Sequence, residues 1–155
     1  MNWLKKIAQS QVFYHGSDRE LPIGTILSPK PQGYTKSYDS MREEKVMEQY
    51  RPANKISRQE SVFLVDDPDD IDNAGGNNDY IYIVEPIGPV ERSDMSWYGL
   101  IATDPNLAKQ NQKRLARNYW NGIQNTVNVD LFASLWEYRC RQARIVKLFE
   151  NNYVS

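Results

Sequence analysis

Short apolar runs, each bounded by polar or turn-forming residues, constrain the fold of this chain more than any other feature. They lie at residues 11–15, 61–66, 80–85 and 135–149. Runs of this length that are rich in aromatic and β-branched residues are typical of buried strands. Helix signals are fewer than strand signals, so we expect an α+β fold.

The last run alternates over a long predicted strand, residues 135–149. Tyr138 would point to one face of this strand, whereas Glu137 and Arg139 would point to the other. An exposed ladder of ion pairs is therefore one interpretation of Glu137. The two residues Gln142 and Ala143 can interrupt the register of this strand.

Helix signals mark the segments between the strands. The spacing from Ser40 to Glu43 is that of a capping box, and it predicts a helix that runs to Tyr50. Asp104-Pro105 offers an N-cap and a proline in the first turn, and it predicts a second helix that ends at Gly122. The cations that recur every four residues along this second helix are interpreted as a solvated surface rather than as a nucleic-acid contact.

The domain organisation follows from length and polarity. The 155 residues suffice for one hydrophobic core, and no internal repeat or linker divides the chain. We interpret residues 1–155 as a single domain. Because residues 28–60 are polar, we expect them to form a covering loop and helix inserted into that domain.

Composition excludes several partners and places the chain in a reducing compartment. The net charge of −1 gives no field that would recruit nucleic acid or a membrane surface. No apolar stretch is long enough to cross a bilayer. The single cysteine, Cys140, rules out an intramolecular disulfide framework. We expect a cytoplasmic protein, in the host cytoplasm if a phage encodes it.

The only histidine, His15, stands at the end of the first strand, directly before Gly16. A lone histidine at a strand end is more often structural than catalytic. The adjacent glycine and the Leu-Pro-x-Gly stretch at residues 21–24 favour a functional role here. With one histidine and one cysteine, the chain is expected to hold no metal.

Stretches in the first two-thirds of the chain resemble a known family. They are residues 13–17 with 21–27, residues 62–65, and residues 80–89, which end in Val-Glu-Pro-Ile-Gly-Pro. This pattern resembles the ADP-ribosyltransferases of the diphtheria-toxin and poly(ADP-ribose) polymerase branch, and it is similar to their small rifampin-modifying members. The resemblance implies split, mainly antiparallel sheets with a few peripheral helices.

The resemblance also implies an activity. Members of the family are transferases that cleave the nicotinamide glycosidic bond of NAD and pass ADP-ribose to an acceptor. Such chemistry needs donors that fix a ribose, an aromatic face for nicotinamide, and a carboxylate beside an oxocarbenium-like transition state. We therefore expect a mono-ADP-ribosyltransferase that uses NAD as a substrate, with a protein or a small molecule as its acceptor.

The family pattern assigns ligand contacts to the first and second strands. His15 would hydrogen-bond the ribose on the adenosine side of NAD, and the backbone of Gly16 would hold the nicotinamide amide, with Ser17 beside it. A glycine would let the ligand approach closely. Phe63 occupies the position of the family's stacking tyrosine, and it can stack but lacks the hydroxyl group.

The covering loop and the last strand would complete the site. Tyr34 and Tyr38 can supply a second stacking face for NAD. Glu137 is the expected catalytic carboxylate, because the family places its own at the head of this strand. Glu85 and Asp94 are the competing carboxylates, with Glu85 favoured as a structural residue at a strand end.

Other functions are compatible with the same sequence. Phe63 in place of tyrosine motivates a module that binds NAD or another nucleotide without catalysis. An aromatic loop at residues 29–50 motivates a host-interaction protein, which a phage can encode. RNA 2′-phosphotransferases share the fold and the use of NAD, but the arginines at residues 139–144 match their site poorly.

Overall fold

The computed structural model of the chain describes residues 11–29, 41–72, 76–126 and 133–153. Tyr34 and Tyr38 lie outside these residues. The strands are β1 (Phe13–Ser17), β2 (Ile26–Leu27), β3 (Val62–Leu64), β4 (Tyr80–Ile87), β5 (Glu91–Asp94), β6 (Trp136–Cys140) and β7 (Gln142–Asn151). The α-helices are α1 (Arg42–Gln49), α2 (Met95–Thr103) and α3 (Lys109–Trp120), and short 3-10 helices span Arg58–Glu60 and Pro68–Asp70.

The strands form two sheets. One has four strands in the order β1-β4-β7-β2, and the other has three in the order β3-β6-β5. Every described strand pair is antiparallel. An isolated bridge between Tyr14 and Val65 links β1 to the end of β3. The α+β class with mainly antiparallel sheets, as expected from the sequence, is confirmed.

One hydrophobic cluster lies between the two sheets. Its members come from both sheets: Phe13, Val62, Leu64, Tyr80, Tyr82, Val84, Tyr138, Cys140, Ala143 and Ile145. Their burial holds the sheets face to face, at roughly 1.5–3 kcal/mol for each large apolar side chain. The nearly continuous apolar sequence of β4 reflects its central position between β1 and β7.

A second cluster joins the three α-helices. It contains Val46, Met47, Trp97, Ile101, Leu115, Ala116, Tyr119 and Trp120. Val46 and Met47 come from α1, within the segment that was expected only to cover a site. That expectation is incomplete, because the apolar face of α1 is part of a core. The N-cap of α1 is Met41, which makes no side-chain cap hydrogen bond, and Ser40 of the predicted capping box lies outside the described residues.

The middle of the chain differs most from the sequence prediction. The predicted helix begins at Lys109 rather than at Asp104, whose carboxylate instead accepts a hydrogen bond from the backbone N–H of Asn106 in a turn. Strand β5 and helix α2 were not predicted. Asp94 caps α2 by accepting a hydrogen bond from the N–H of Ser96. As predicted, Gly122 follows α3, and it adopts a φ of 67°.

The predicted last strand is two strands in different sheets. The chain leaves the three-stranded sheet after Cys140 and enters the four-stranded sheet at Gln142. Both faces of β6 are buried, with Glu137 at 1% exposure and Arg139 at 0%. The exposed ion-pair ladder is therefore wrong for these residues, because the helical cluster covers the face that was expected to meet water.

Candidate functional site

A cleft of about 520 Å³ lies where edge strands of the two sheets meet. Strands β1, β2 and β3 all line it, together with the loop after β1 and the 3-10 helix Arg58–Glu60. Its volume is within the range of small-molecule sites, roughly 300–1,000 Å³. The cleft is therefore large enough to be the site of the predicted ligand contacts.

His15 is held in the cleft by a bond to the second sheet. Its Nδ1 lies 2.9 Å from the backbone carbonyl oxygen of Phe63. A carbonyl oxygen only accepts, so Nδ1 carries the hydrogen of this bond. This bond fixes the imidazole plane and joins β1 to β3 at the floor of the cleft.

Gly16 and Ser17 continue the cleft wall. A Cβ atom at position 16 would lie 1.9 Å from the carbonyl oxygen of Asn77 and 2.7 Å from Cγ2 of Ile71. The glycine is thus required by contacts within the protein, a reason that differs from the ligand approach expected from the sequence. Ser17 donates its hydroxyl hydrogen to the carbonyl oxygen of Arg19 at 2.8 Å.

Phe63 lies half-buried in the cleft wall. The guanidinium carbon of Arg58 sits 4.8 Å from the centre of its ring. A cation at this distance from an aromatic ring is attracted by the ring quadrupole. Phe63 therefore contacts a charged neighbour that lines the same cleft.

Glu137 does not line the cleft. The carboxylate is buried on the helix side of β6, where its Oε1 accepts hydrogen bonds from Nη1 of Arg58 at 2.9 Å and from the hydroxyl of Tyr119 at 3.2 Å. Burial raises the pKa of Glu137 above its ordinary value, although Arg58 and Arg139 oppose this rise. The structure thus brings His15 and Phe63 together in the cleft. Glu137 is not part of the lining, but it pairs with Arg58, which is.

Arg58 connects the cleft to the helices. Its Nε donates to both carboxylate oxygens of Glu44 in α1, at 3.0 and 3.2 Å. The hydroxyl of Tyr98 in α2 donates to Glu44 at 2.9 Å. The side chains of Arg58 and Glu44 are 3% and 4% exposed. Two carboxylates, Glu44 and Glu137, therefore share one buried guanidinium.

The competing carboxylates occupy other environments. Glu85 is exposed on β4. Asp94 is fully buried and accepts hydrogen bonds from the backbone N–H groups of Ser96 and Asn125 and from the hydroxyl of Ser134. Burial alone would raise the pKa of Asp94, but these hydrogen bonds outweigh it and hold the pKa below its ordinary value. Asp94 thus fastens β5, α2 and the segment before β6 to one another.

Arg58 and Glu44 were missed by the sequence reasoning. They lie in a polar segment where charged residues are expected to be exposed, and the sequence carries no signal that pairs Arg58 with Glu137 across 79 positions. Tyr119 lies on the buried face of α3, and its hydroxyl contact with the carboxylate was likewise not anticipated. Long-range pairing of this kind depends on the tertiary fold.

The described ranges contain neither a candidate metal site nor a candidate membrane span. Among residues 11–29, 41–72, 76–126 and 133–153, no three His, Cys, Asp or Glu side chains come together as a possible metal site. Within the same ranges, no helix has the length and apolar character needed to span a bilayer. The described lining of the cleft offers hydrogen-bonding groups, an aromatic ring and an ion-paired guanidinium.

The chain matches no protein-family model, and no curated protein matches it significantly.

Proposed function

We propose that the cleft binds NAD and that the protein is a mono-ADP-ribosyltransferase. The observation that carries this proposal is the hydrogen bond between His15 and the backbone of Phe63, which joins two residues of the predicted ligand site in the lining of one cleft. His15 contacts a ribose hydroxyl, and Phe63 stacks on the nicotinamide ring. The acceptor is a protein or a small molecule.

The reaction breaks the bond between ribose C1′ and the nicotinamide ring nitrogen. The bonding electron pair leaves with that nitrogen and neutralises its positive charge, so no acid is needed to expel it. A nucleophilic atom of the acceptor then donates its electron pair to C1′ and loses its proton. Positive charge develops on the ribose in between, and a nearby carboxylate stabilises it.

Glu137 is the carboxylate that we assign to this role. Glu137 is linked to the cleft by the lining residue Arg58, because Nη1 of Arg58 lies 2.9 Å from Oε1 of Glu137. Burial raises its pKa, and the two arginines beside it favour the ionised form that the reaction needs. A carboxylate kept from water stabilises developing positive charge more strongly than a solvated one.

Nicotinamide release from NAD is the decisive measurement. We expect Glu137→Gln to lower the rate about 100- to 1,000-fold, the usual loss when one transition-state contact is removed. The amide keeps the size of the side chain, so the fold is expected to survive. Glu60→Gln is the matched control, because Glu60 is 64% exposed in a surface ion pair with Arg141.

The outcomes separate the parts of this proposal. If Glu137→Gln releases nicotinamide as fast as the unaltered protein, Glu137 is not the catalytic carboxylate. If the unaltered protein binds no NAD by calorimetry, the proposed function itself fails. His15→Ala is expected to weaken NAD binding because it removes the ring that contacts the ribose.

A second candidate is a nucleotide-binding module without catalysis. Its support is the burial of Glu137 at 1% exposure behind Arg58, together with the missing hydroxyl at Phe63. Calorimetry would then show NAD binding with no nicotinamide released over hours. Activity restored by Phe63→Tyr would identify the hydroxyl as the missing group and return the protein to the enzyme class.

The proposed compartment is a reducing cytoplasm, including that of a host. Its support is Cys140, which is buried and unpaired with another cysteine. Nucleic acid is not part of the proposal. Lys109, Lys113 and Arg117 are exposed on α3, away from the lining of the cleft, as expected for a solvated face.

A further inference from the structure

We propose that Arg58 recognises the diphosphate of a dinucleotide in the cleft, and that this contact withdraws Arg58 from Glu137. The inference rests on the proposed NAD site and deepens it. It makes Arg58 the residue that selects ligands with a diphosphate, and it makes the bound ligand the signal that releases the carboxylate.

Arg58 is buried and yet forms part of the cleft wall. Its side chain is 3% exposed, and it lines the cleft together with Gln59 and Ser61. Among the described lining residues the charged side chains are Asp18, Arg19 and Arg58. Arg19 is exposed to solvent, which weakens its attraction for an anion. Of the two lining arginines, Arg58 is therefore the less solvated one and would attract a bound anion more strongly.

The guanidinium group has separate partners on separate nitrogens. Nε contacts Glu44, whereas Nη1 contacts Glu137 and the hydroxyl of Tyr119. A guanidinium presents donors in a planar fork and can change partner at one side while it keeps the other. Glu44 can thus retain Arg58 through Nε while Nη1 turns from Glu137 to a phosphate oxygen.

The exchange removes the main energetic obstacle to catalysis by Glu137. Breaking a buried ion pair is strongly unfavourable when either charge is left without a partner. A dinucleotide provides both replacements, because its diphosphate is an anion for Arg58 and its ribose hydroxyls are donors for Glu137. A nucleoside provides only the hydroxyls, so it would leave Arg58 without a counter-charge if the pair opened.

Calorimetry with ADP, adenosine and inorganic pyrophosphate tests the recognition step. We expect the unaltered protein to bind ADP at least tenfold more tightly than adenosine, and Arg58→Gln to remove most of that preference. If Arg58→Gln also weakens the binding of pyrophosphate to the same extent, Arg58 contacts only the phosphates of ADP. Arg19→Gln removes the other cation of the cleft and is expected to keep most of the preference.

A second variant, which is expected to bind ADP more tightly, keeps the test informative if the Arg58 variant fails to fold. Loss of Arg58 leaves Glu44 and Glu137 without their shared partner, and this alone can unfold the protein. Glu44→Gln instead keeps an acceptor oxygen for Nε but removes one of the two negative charges that neutralise Arg58, and we expect it to tighten ADP binding about threefold to tenfold. Glu48→Gln is the matched control on the same helix, because Glu48 pairs with Arg51 near the surface.

The outcomes distinguish this inference from the proposed function. Equal binding of ADP and adenosine by a protein that releases nicotinamide overturns the role of Arg58 and leaves the enzyme assignment standing. A clear ADP preference that depends on Arg58, in a protein that releases no nicotinamide, supports the role of Arg58 and overturns the enzyme assignment. If Arg19→Gln abolishes the preference and Arg58→Gln does not, the recognising cation is Arg19. If no nucleotide binds, both proposals fail.

Discussion

Arg139 shows how a charged residue becomes part of the interior at this site. Its side chain is 0% exposed, and Nη1 donates to the hydroxyls of Ser93 and Tyr119 at 2.7 and 3.1 Å. The guanidinium carbon also lies 4.9 Å from the ring centre of Trp120. Nη2 is 3.5 Å from a carboxylate oxygen of Glu91, an ion-pair distance without hydrogen-bond geometry. Aromatic rings and hydroxyls thus replace most of the water that Arg139 gives up.

At the same scale, Asp94 is expected to govern stability in acid. Its pKa is held below the ordinary value of 3.8 in the folded state. The stabilisation from its ionised form is therefore complete above the pKa of the unfolded chain and is lost as the pH falls through the folded pKa. Asp94→Asn should lose about 2–4 kcal/mol of unfolding free energy at neutral pH, since buried donors lose a charged acceptor.

Urea unfolding of both proteins from neutral pH down to about pH 3 measures this effect. The gap between them should shrink as the pH drops below the ordinary pKa of an aspartate. Asp104→Asn is the control, because the Asp104 carboxylate makes a similar backbone contact with Asn106 in an exposed turn. A gap that stays constant across the whole range would show that the charge of Asp94 is unimportant.

At the scale of elements, α1 shares a buried core with the two later helices. Its apolar side chains, Val46 and Met47, pack with α2 and α3, while Lys45 and Glu48 on the same helix are exposed. Glu44 of α1 reaches the ion-pair network beside the cleft. The helix therefore has a structural and an electrostatic contact with the rest of the molecule.

We expect Met47→Ala to lower the unfolding free energy by about 2–4 kcal/mol. Met47 is 0% exposed, so the substitution leaves a cavity that its neighbours fill only in part. Lys45→Ala, on the exposed side of the same helix, should change the free energy by less than about 0.5 kcal/mol. Urea unfolding followed by circular dichroism compares the two. Equally small effects would mean that α1 is a detachable cover after all.

At the scale of the whole molecule, two hydrophobic clusters are joined by the buried charges. The first lies between the sheets and the second among the helices. Tyr119 belongs to the helical cluster, yet its hydroxyl contacts Arg58, Arg139 and Glu137 at the sheet. We therefore expect the two clusters to unfold as one cooperative unit.

Cys140 reports on that cooperativity. It is 0% exposed in β6, and burial raises the pKa of its thiol to about 11, so both access and thiolate formation oppose reaction. A thiol reagent should label the native protein only through global unfolding. The free energy of opening from labelling rates across low urea concentrations should then equal the free energy from urea unfolding. Labelling much faster than this would reveal local opening around β6.

Several features could be predicted from the sequence because they depend on local patterns. The apolar runs at β1, β3 and β4 set the antiparallel α+β architecture, since alternation and turn residues act over a few positions. The end of α3 at Gly122 follows from the positive φ that a glycine adopts readily. The aromatic and histidine residues of the cleft stand on these strands, so they could be named from the sequence as well.

Burial and pairing of the charged residues were decided only by the tertiary structure. The alternation in β6 is real, but a strand reveals its two faces without revealing that helices cover one face and the other sheet covers the opposite face. Arg58 and Glu137 meet across distant parts of the chain, and no local spacing encodes that contact. The sequence thus determined which residues stand on the strands of the cleft, whereas the packing of α1, α2 and α3 decided that Glu137 is buried against Arg58.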